Sequence, residues 1–597
     1  MLRIDFVNGN RIKVYMKGIF LLILVNFSLA AEPTRCWRSL PASTVGAIEI
    51  DLSDDLLIKL RQNTLLGKTI LTKQRLADFF SVFRKHSLVN PKLATVLAEL
   101  RSSGFSIDEM TKVLNSKFGV GLIPEGTSDQ RYWSLIAWVE MKPDLAAKII
   151  SSLKERDPDK ASVINDLEVL TYKNDWGSSF SILAVSGNKL LMVSSDIDKK
   201  YKTSVKKANY EPKSHELCIA RFKKFTHALQ GQEAMGFYAA VSNSIFIQRN
   251  KLEGRKVLEY HANLTKLFEM ADDNEKKIEL AGLKQLKMLS GYVSLKGNRL
   301  NSKFFLETEG AREGLVKLID QPQLPTQAAG WVTSDINSYT HMSLDVKFVF
   351  DQLLEVCSRQ FGEAAVSKKW DALNTRARAF LAADLKSILS SFGHKVIYVD
   401  YGLDMEVKGQ DKKAQLKSAI VIPFDNTLVS NRILEIMTPF AEGKGILRKD
   451  QLGFKGFRVN SRDFKGSFYI GQKKLILTTG LGVSDKVLKS IITAPKESLA
   501  SSKEFIDFQK KLGQQKSTML TYGNLKSSIG NFYDFAEKLL KSKNVFAGMD
   551  KRDKAFIQEL LSKIPTKTQV LSVLGVAGAY TKPTPEGLEI NGFMELP

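Results

Sequence analysis

Phe180-Ser181-Ile182-Leu183-Ala184-Val185, a turn at Ser186-Gly187-Asn188, and then Leu190-Leu191-Met192-Val193 form the stretch that decides the fold. Two short apolar runs joined through Gly and Asn read as an antiparallel hairpin. The pattern returns as Phe468-Tyr469-Ile470, a turn at Gly471-Gln472, and Leu475-Ile476-Leu477, with Phe180 and Phe468 288 residues apart. A polar, Lys-rich, helix-like segment follows each hairpin. Strands joined by tight turns and mixed with long helices predict α+β with antiparallel sheets, not a doubly wound fold.

Three more blocks recur in the same order, and ordered self-similarity is the signature of a repeat. Leu40-Pro41-Ala42-Ser43-Thr44-Val45-Gly46-Ala47-Ile48-Glu49-Ile50-Asp51 leads into an amphipathic run with Leu56, Leu57 and Leu60. Gly330-Trp331-Val332-Thr333-Ser334-Asp335 leads into Leu344, Val346, Phe348, Val349 and Leu353. Next, a helix starting near Asp108 ends at Phe118-Gly119, and one starting at Asp384 ends at Phe392-Gly393. Acid at the start and Gly at the end of a helix is capping chemistry. Last, Gly291-Tyr292-Val293-Ser294-Leu295 with Leu300 and Phe304-Phe305-Leu306 matches Gly578-Ala579-Tyr580-Thr581 with Leu588, Ile590 and Phe593. Met235–Val241 and Thr518–Gly523 resemble the opening strand again, and Ile529 to Leu540 has helical spacing. The expected organisation is a leader over 1–30, a first α+β repeat over 31–325 and a second over 326–597. Each half carries antiparallel hairpins and long amphipathic helices, in a two-lobed body.

The Leu40-Pro41-Ala42-Ser43-Thr44 opening, the Asp108 and Asp384 helices ending at Phe-Gly, and Phe454-Lys455-Gly456-Phe457 before the Phe468 hairpin resemble a family of secreted bacterial proteins of unknown function. Its members start with a Leu-Pro-Ala-Asp-Thr-like turn. Here Ser43 stands where the family has Asp, and the second half has only Pro325-Thr326 near the matching place. The resemblance spans residues 40–597 and brings no catalytic residues with it.

The chain begins with an address. From Met16 it reads Lys17, a seven-residue apolar run from Ile19 to Val25, and the small residues Ser28 and Ala30, as a signal peptide does. The run is far shorter than the ~20 residues of a membrane span. Met16 is the expected true start, cleavage is expected after Ala30, and the protein is expected in the periplasm or outside the cell. Cys36 lies six residues past the site, so a lipid-modified cysteine is not expected. Cys36, Cys218 and Cys357 allow three pairings and at most one disulfide.

The 597 residues carry 87 Lys+Arg against 64 Asp+Glu, a net charge of +23. Arg3, Arg11, Lys13 and Lys17 against Asp5 put +3 in the leader, which leaves +20 after cleavage. A charge of that size favours an anionic cell-envelope polymer or a membrane surface as partner. The densest basic stretch, Lys199 to Lys224, reads as an exposed linker or a binding patch without a nucleic-acid motif.

Motifs for chemistry are sparse. No two of His86, His215, His227, His261, His341 and His394 have zinc-protease spacing, and His215-Glu216-Leu217-Cys218 has no second ligand pair. Ser151-Ser152-Leu153-Lys154 matches Ser-x-x-Lys without its Lys-Thr-Gly partner, and no Gly-x-Ser-x-Gly or phosphate loop occurs. Asp54-Asp55 and Asp272-Asp273 read as caps and solvated faces. No catalytic, cofactor or metal residue is nominated, and enzyme activity is not expected. The expected role is non-enzymatic binding of an envelope partner. Two alternatives stay open: a carrier of apolar cargo lined by Leu65, Leu66, Ile70, Leu71, Leu76, Phe79, Phe80 and Phe83, and a hydrolase with a convergent carboxylate or serine site in a cleft between the halves.

Overall fold

In a computed structural model of the chain, the described residues are 40–51 (except 42), 116–127, 130–154, 160–173, 179–197, 211–231, 236–249, 255–269, 281–408, 411–441, 446–460, 465–480, 482–541 and 565–597, with scattered positions between 58 and 82, at 279, and between 554 and 563. The leader, Cys36, the Leu56–Leu60 run, the Asp108 helix start, Asp54-Asp55, Asp272-Asp273, His86, Ile70 to Phe83 of the apolar stripe, and Lys199 to Tyr210 of the basic stretch lie outside them. Helices and antiparallel strands alternate, as the α+β reading expects. The chain divides into two compact units. The two are interleaved along the chain: 1–273, 287–297 and 551–564 fall in the first and 274–286, 298–550 and 565–597 in the second, and the strand after Gly297 pairs with the C-terminal strand.

The first unit holds β1 (Gly46–Asp51), β2 (Lys117–Thr127), β3 (Gln130–Glu140), helix α1 (Pro143–Lys154), β4 (Lys160–Ile164), β5 (Leu167–Lys173), β6 (Ser179–Ser186) and β7 (Lys189–Ile197). Helices α2 (Glu211–Gly231), α3 (Gly236–Ser242) and α4 (Ile245–Arg249) precede β8 (Arg255–Asn263), α5 (Leu264–Glu269) and β9 (Leu286–Lys296). All pairs are antiparallel, in the order β4-β5-β6-β7-β3-β2-β1-β8-β9. The decisive hairpin is β6–β7, closing at Ser186↔Lys189 with Gly187 at φ 58°. That is the left-handed region a Cβ disfavours. Alternation puts Ala47, Ile136, Ile182 and Val193 on one face, under Cys218, Phe222 and Phe225 of α2 and Phe237 and Val241 of α3. Trp138 lies there too, flat against a strand glycine: a Cβ on Gly119 would sit 2.1 Å from its ring. A strand Gly marking such a close approach is its usual meaning.

The second unit opens with β10 (Arg299–Thr308) and β11 (Ser338–Ser343). Helices α6 (Val346–Phe361), α7 (Glu363–Leu381) and α8 (Leu385–Ser390) lead to β12 (Lys395–Lys408) and β13 (Asp411–Pro423). Then come α9 (Thr427–Ala441), β14 (Ile446–Arg448), β15 (Lys455–Asn460), β16 (Lys465–Gly471) and β17 (Lys474–Thr479). The unit ends with α10 (Val483–Ile492), α11 (Lys503–Leu512), β18 (Met519–Asn524), α12 (Leu525–Lys541), α13 (Lys567–Ser572), β19 (Val576–Thr584) and β20 (Gly587–Glu595). The antiparallel order is β14-β15-β16-β17-β13-β12-β11-β18-β19-β20-β10. Its core joins Tyr339, Val399, Val421, Ile476 and Leu520 of the sheet to Val487 of α10 and Phe505 and Phe508 of α11. Each such buried aromatic contributes about 1.5–3 kcal/mol. Asp345, Asp384 and Ser502 cap α6, α8 and α11 by accepting from the backbone N–H three residues on.

Three element readings need correction. Gly330–Asp335 is not a strand; Val332 N–H bonds back to Ala329 O at 3.0 Å in a turn, and the strand begins at Ser338. Val332 and Ile336, both fully buried, anchor that turn in the core. Met235–Val241 does not open a strand; Gly236–Ser242 is helical, with Phe237 and Val241 buried one turn apart. A short apolar run does not by itself separate a buried strand from a buried helix. Phe118-Gly119 lies inside β2 and caps no helix, and the Asp384 helix stops at Ser391, two residues before Gly393.

Candidate functional site

The strongest concentration of buried ionisable groups lies on the inner face of the first unit's sheet, across β1, β8 and β9. Pairing sets it. Ala47 faces His261 and Glu49 faces Glu259 across β1–β8, while Glu259 faces Tyr292 and His261 faces Ser290 across β8–β9. Lys256 should point away from Glu259, because an odd spacing along a strand changes face. A β-bulge corrects this: the β8–β9 register shifts between Lys256 and Leu258, leaving Val257 as the extra residue. Lys256 therefore lies opposite Ser294 and reaches the Glu259 face.

The result is a closed network. Lys256 Nζ donates to Glu259 Oε1 at 2.7 Å, and His261 Nε2 meets the same oxygen at 3.2 Å. His261 Nδ1 meets Ser290 Oγ at 3.0 Å. His261 and Ser290 are 1% exposed and Glu259 is 3% exposed. Burial pushes the Glu259 carboxyl up, but the His261 hydrogen bond and the Lys256 charge outweigh it and hold the pKa at about 2. Tyr292 closes one side, its ring 5.7 Å from Phe246 of α4. Beside the network runs an alternating-charge row of register partners, with separations of 3.9 Å (Asp51–Lys117), 3.7 Å (Lys117–Glu140) and 4.0 Å (Glu140–Lys189).

Hydroxyl, imidazole and carboxylate in hydrogen-bond sequence are the parts of an activated nucleophile. Here Ser290 sits on Nδ1, Glu259 on Nε2, and Lys256 shares the acceptor oxygen. A nucleophile buried to 1% exposure meets no substrate, so in this conformation the network locks strands together.

The second unit has its own buried histidine. His341, fully buried on β11, meets Tyr339 Oη through Nδ1 at 3.2 Å, and Ala329 N–H donates to that oxygen at 3.3 Å. Burial, with Lys395 nearby, holds its pKa down at about 3, so the ring is neutral. Burial also pushes the Tyr339 phenol up.

The sequence motifs do not converge on either cluster. Cys218 Sγ bonds Val193 O at 3.1 Å inside the core. Ser151-Ser152-Leu153-Lys154 ends α1, where Lys154 pairs with Glu168 at 2.5 Å, and so does not open a helix as the motif requires. His227 is exposed, and His394 pairs with Asp345 at 3.5 Å. Cys218 is buried and Cys357 half-buried. Lys223 and Lys224, from the basic stretch, are exposed on α2. The sequence reading missed Lys256, Glu259, His261 and Ser290. The available signal was the two-residue spacing of Glu259 and His261; the bulge that recruits Lys256 left none.

No family model matches the chain, and no curated protein does. Two solved structures are similar. Crystal form III of TP0453 gives a TM-score of 0.22 at 7% identity, covering 48% of this chain and 87% of that one. Crystal form I of TP0453 gives 0.20 at 6% identity, covering 49% and 88%. At these scores the likeness carries no argument about fold or function.

Proposed function

We propose that the protein is an extracytoplasmic, non-enzymatic binding protein whose partner is an anionic component of the cell envelope. The observation that carries this is the charge: 87 cationic against 64 anionic side chains, with +20 left beyond the leader. Lys223 and Lys224 on α2, and Lys368, Lys369, Arg376 and Arg378 on α7, stand exposed and available to a partner. The burial of Ser290 and His261 weighs against a nucleophilic site at that cluster.

Within the same proposal the two units are copies of one α+β repeat. Counting strands from β1 and from β11, each unit contains the antiparallel order 4-5-6-7-3-2-1-8-9, which in the second unit continues through β20 to β10. A detail of backbone chemistry supports the match. Asn263 N–H donates to Val45 O at 2.8 Å, and Asn263 Oδ1 accepts Lys266 N–H at 3.0 Å. Asn524 N–H donates to Asn337 O at 2.8 Å, and Asn524 Oδ1 accepts Ser527 N–H at 3.0 Å. Each Asn ends the eighth strand and caps the helix after it.

The test is retention of the purified protein, without residues 1–30, on isolated cell envelopes. Retention at low salt with release at high salt is expected, because exposed charge pairs are screened. Retention indifferent to salt overturns the proposal.

A further inference from the structure

The helical pair α6–α7 carries several exposed apolar side chains close together in sequence. Phe361 and Phe380 are each 64% exposed and Leu373 is 50% exposed. One face of α7 is committed inward: Val366, Trp370, Asn374, Ala377 and Leu381 are buried or half-buried, Trp370 stacks 5.2 Å from Phe350 of α6, and Asn374 accepts Leu385 N–H. A second stripe is not. Lys369, Leu373, Arg376 and Phe380 recur at i, i+4, i+7 and i+11 and so share one line along the helix. All four are exposed, with cation and apolar side chain alternating. Lys368 and Arg378 flank the stripe, so α7 carries four cations against Glu363 and Asp371.

We infer that this stripe is a docking surface for an anionic lipid bilayer, with α7 lying in the headgroup plane. The inference rests on the reading of the protein as a binder of an anionic envelope partner and names that partner as lipid. The alternation argues for lipid over polymer. A polyanionic chain in water needs only the Lys and Arg, whereas exposed Phe380 and Leu373 find an apolar environment only beneath the headgroups. Lys and Arg beside them reach the phosphates with their stems along the same boundary. No helix among the described residues is long and apolar enough to cross a membrane, which suits an in-plane arrangement.

The experiment is co-sedimentation with vesicles of phosphatidylcholine alone or mixed with phosphatidylglycerol, and in parallel with isolated envelope polymer. Three proteins are compared: the parent, Leu373→Ser/Phe380→Ser, and Lys369→Gln/Arg376→Gln. The positions are exposed, so unchanged circular dichroism and melting confirm intact folds. The parent should bind the phosphatidylglycerol vesicles in preference to phosphatidylcholine, and the Ser variant should bind at least about tenfold more weakly, from the apolar burial it forgoes. The Gln variant should lose the preference for phosphatidylglycerol. Variants that bind like the parent overturn the inference. Binding of the parent to envelope polymer but to no vesicle also overturns it while the wider reading stands, and binding to neither removes both.

Discussion

Replacing Lys256 by Met tests whether the buried network is held by its ion pair. Met keeps most of the side-chain stem and removes the ammonium 2.7 Å from Glu259 Oε1. Glu259 is then a buried carboxylate with only the His261 hydrogen bond, and breaking a buried pair from one side costs about 3–5 kcal/mol. The pKa gives a second route to the magnitude. Glu259 is held at about 2 instead of 4.5, against burial, by the His261 hydrogen bond and the Lys256 charge together, a net stabilisation on the order of 3 kcal/mol. Because the folded value is the lower one, that stability is fully present above pH 4.5 and drains away as pH falls toward 2. In the variant, burial dominates and the folded pKa rises, so acid no longer costs the fold this contribution. Urea denaturation of both proteins at pH 7 and pH 3 is the assay. The parent should exceed Lys256→Met by about 3 kcal/mol at pH 7 and by much less at pH 3. An equal gap at both pH values, or none at pH 7, refutes the reasoning.

Further outcomes follow from the same geometry. His341→Gln should flatten the acid limb of stability: a histidine held at about 3 against 6.5 unfolded makes the fold lose on the order of 4–5 kcal/mol as pH falls from 6.5 to 3, read from denaturation midpoints across that range; an unchanged limb contradicts it. Asn263→Ala and Asn524→Ala should each cost about 1 kcal/mol by removing a cap, and a cost at one site alone, by urea denaturation, would weaken the repeat proposal. Gly119→Ala drives a Cβ into Trp138 and should cost about 1–3 kcal/mol, partly recovered in Gly119→Ala/Trp138→Leu; full additivity of the two changes contradicts the packing account. A fluorophosphonate probe should leave Ser290 unlabelled in the native protein, and a labelled Ser290 peptide by mass spectrometry would revive the hydrolase reading.

The hairpins were legible because turn chemistry is local. Gly187 supplies the left-handed residue that the β6–β7 turn needs. The β16–β17 turn was harder, since Gln472 at φ 46° and Lys473 at φ 56° hold the same conformation without glycine. The long helix over Leu525–Lys541 also followed from its spacing. Register was not legible. Under the proposed repeat, Val45 corresponds to Asn337, 292 residues on, whereas the matched glycines Gly46 and Gly330 are 284 apart. Gly330 lies in a turn ahead of the strand that starts at Ser338, whereas Gly46 opens its strand, and local composition does not distinguish the two. The buried network was hidden for the same reason. Ser290 lies 29 residues from His261, and only strand pairing brings them together.

The central claim is that charge directs this protein to an anionic envelope surface. Its most direct test is the dissociation constant of the purified protein, without residues 1–30, for isolated envelopes at a series of salt concentrations. The account predicts binding that weakens steeply as the screening length falls from about 10 Å at 0.1 M toward 3 Å at 1 M. A constant that does not change with salt, or no binding at the lowest salt, contradicts it.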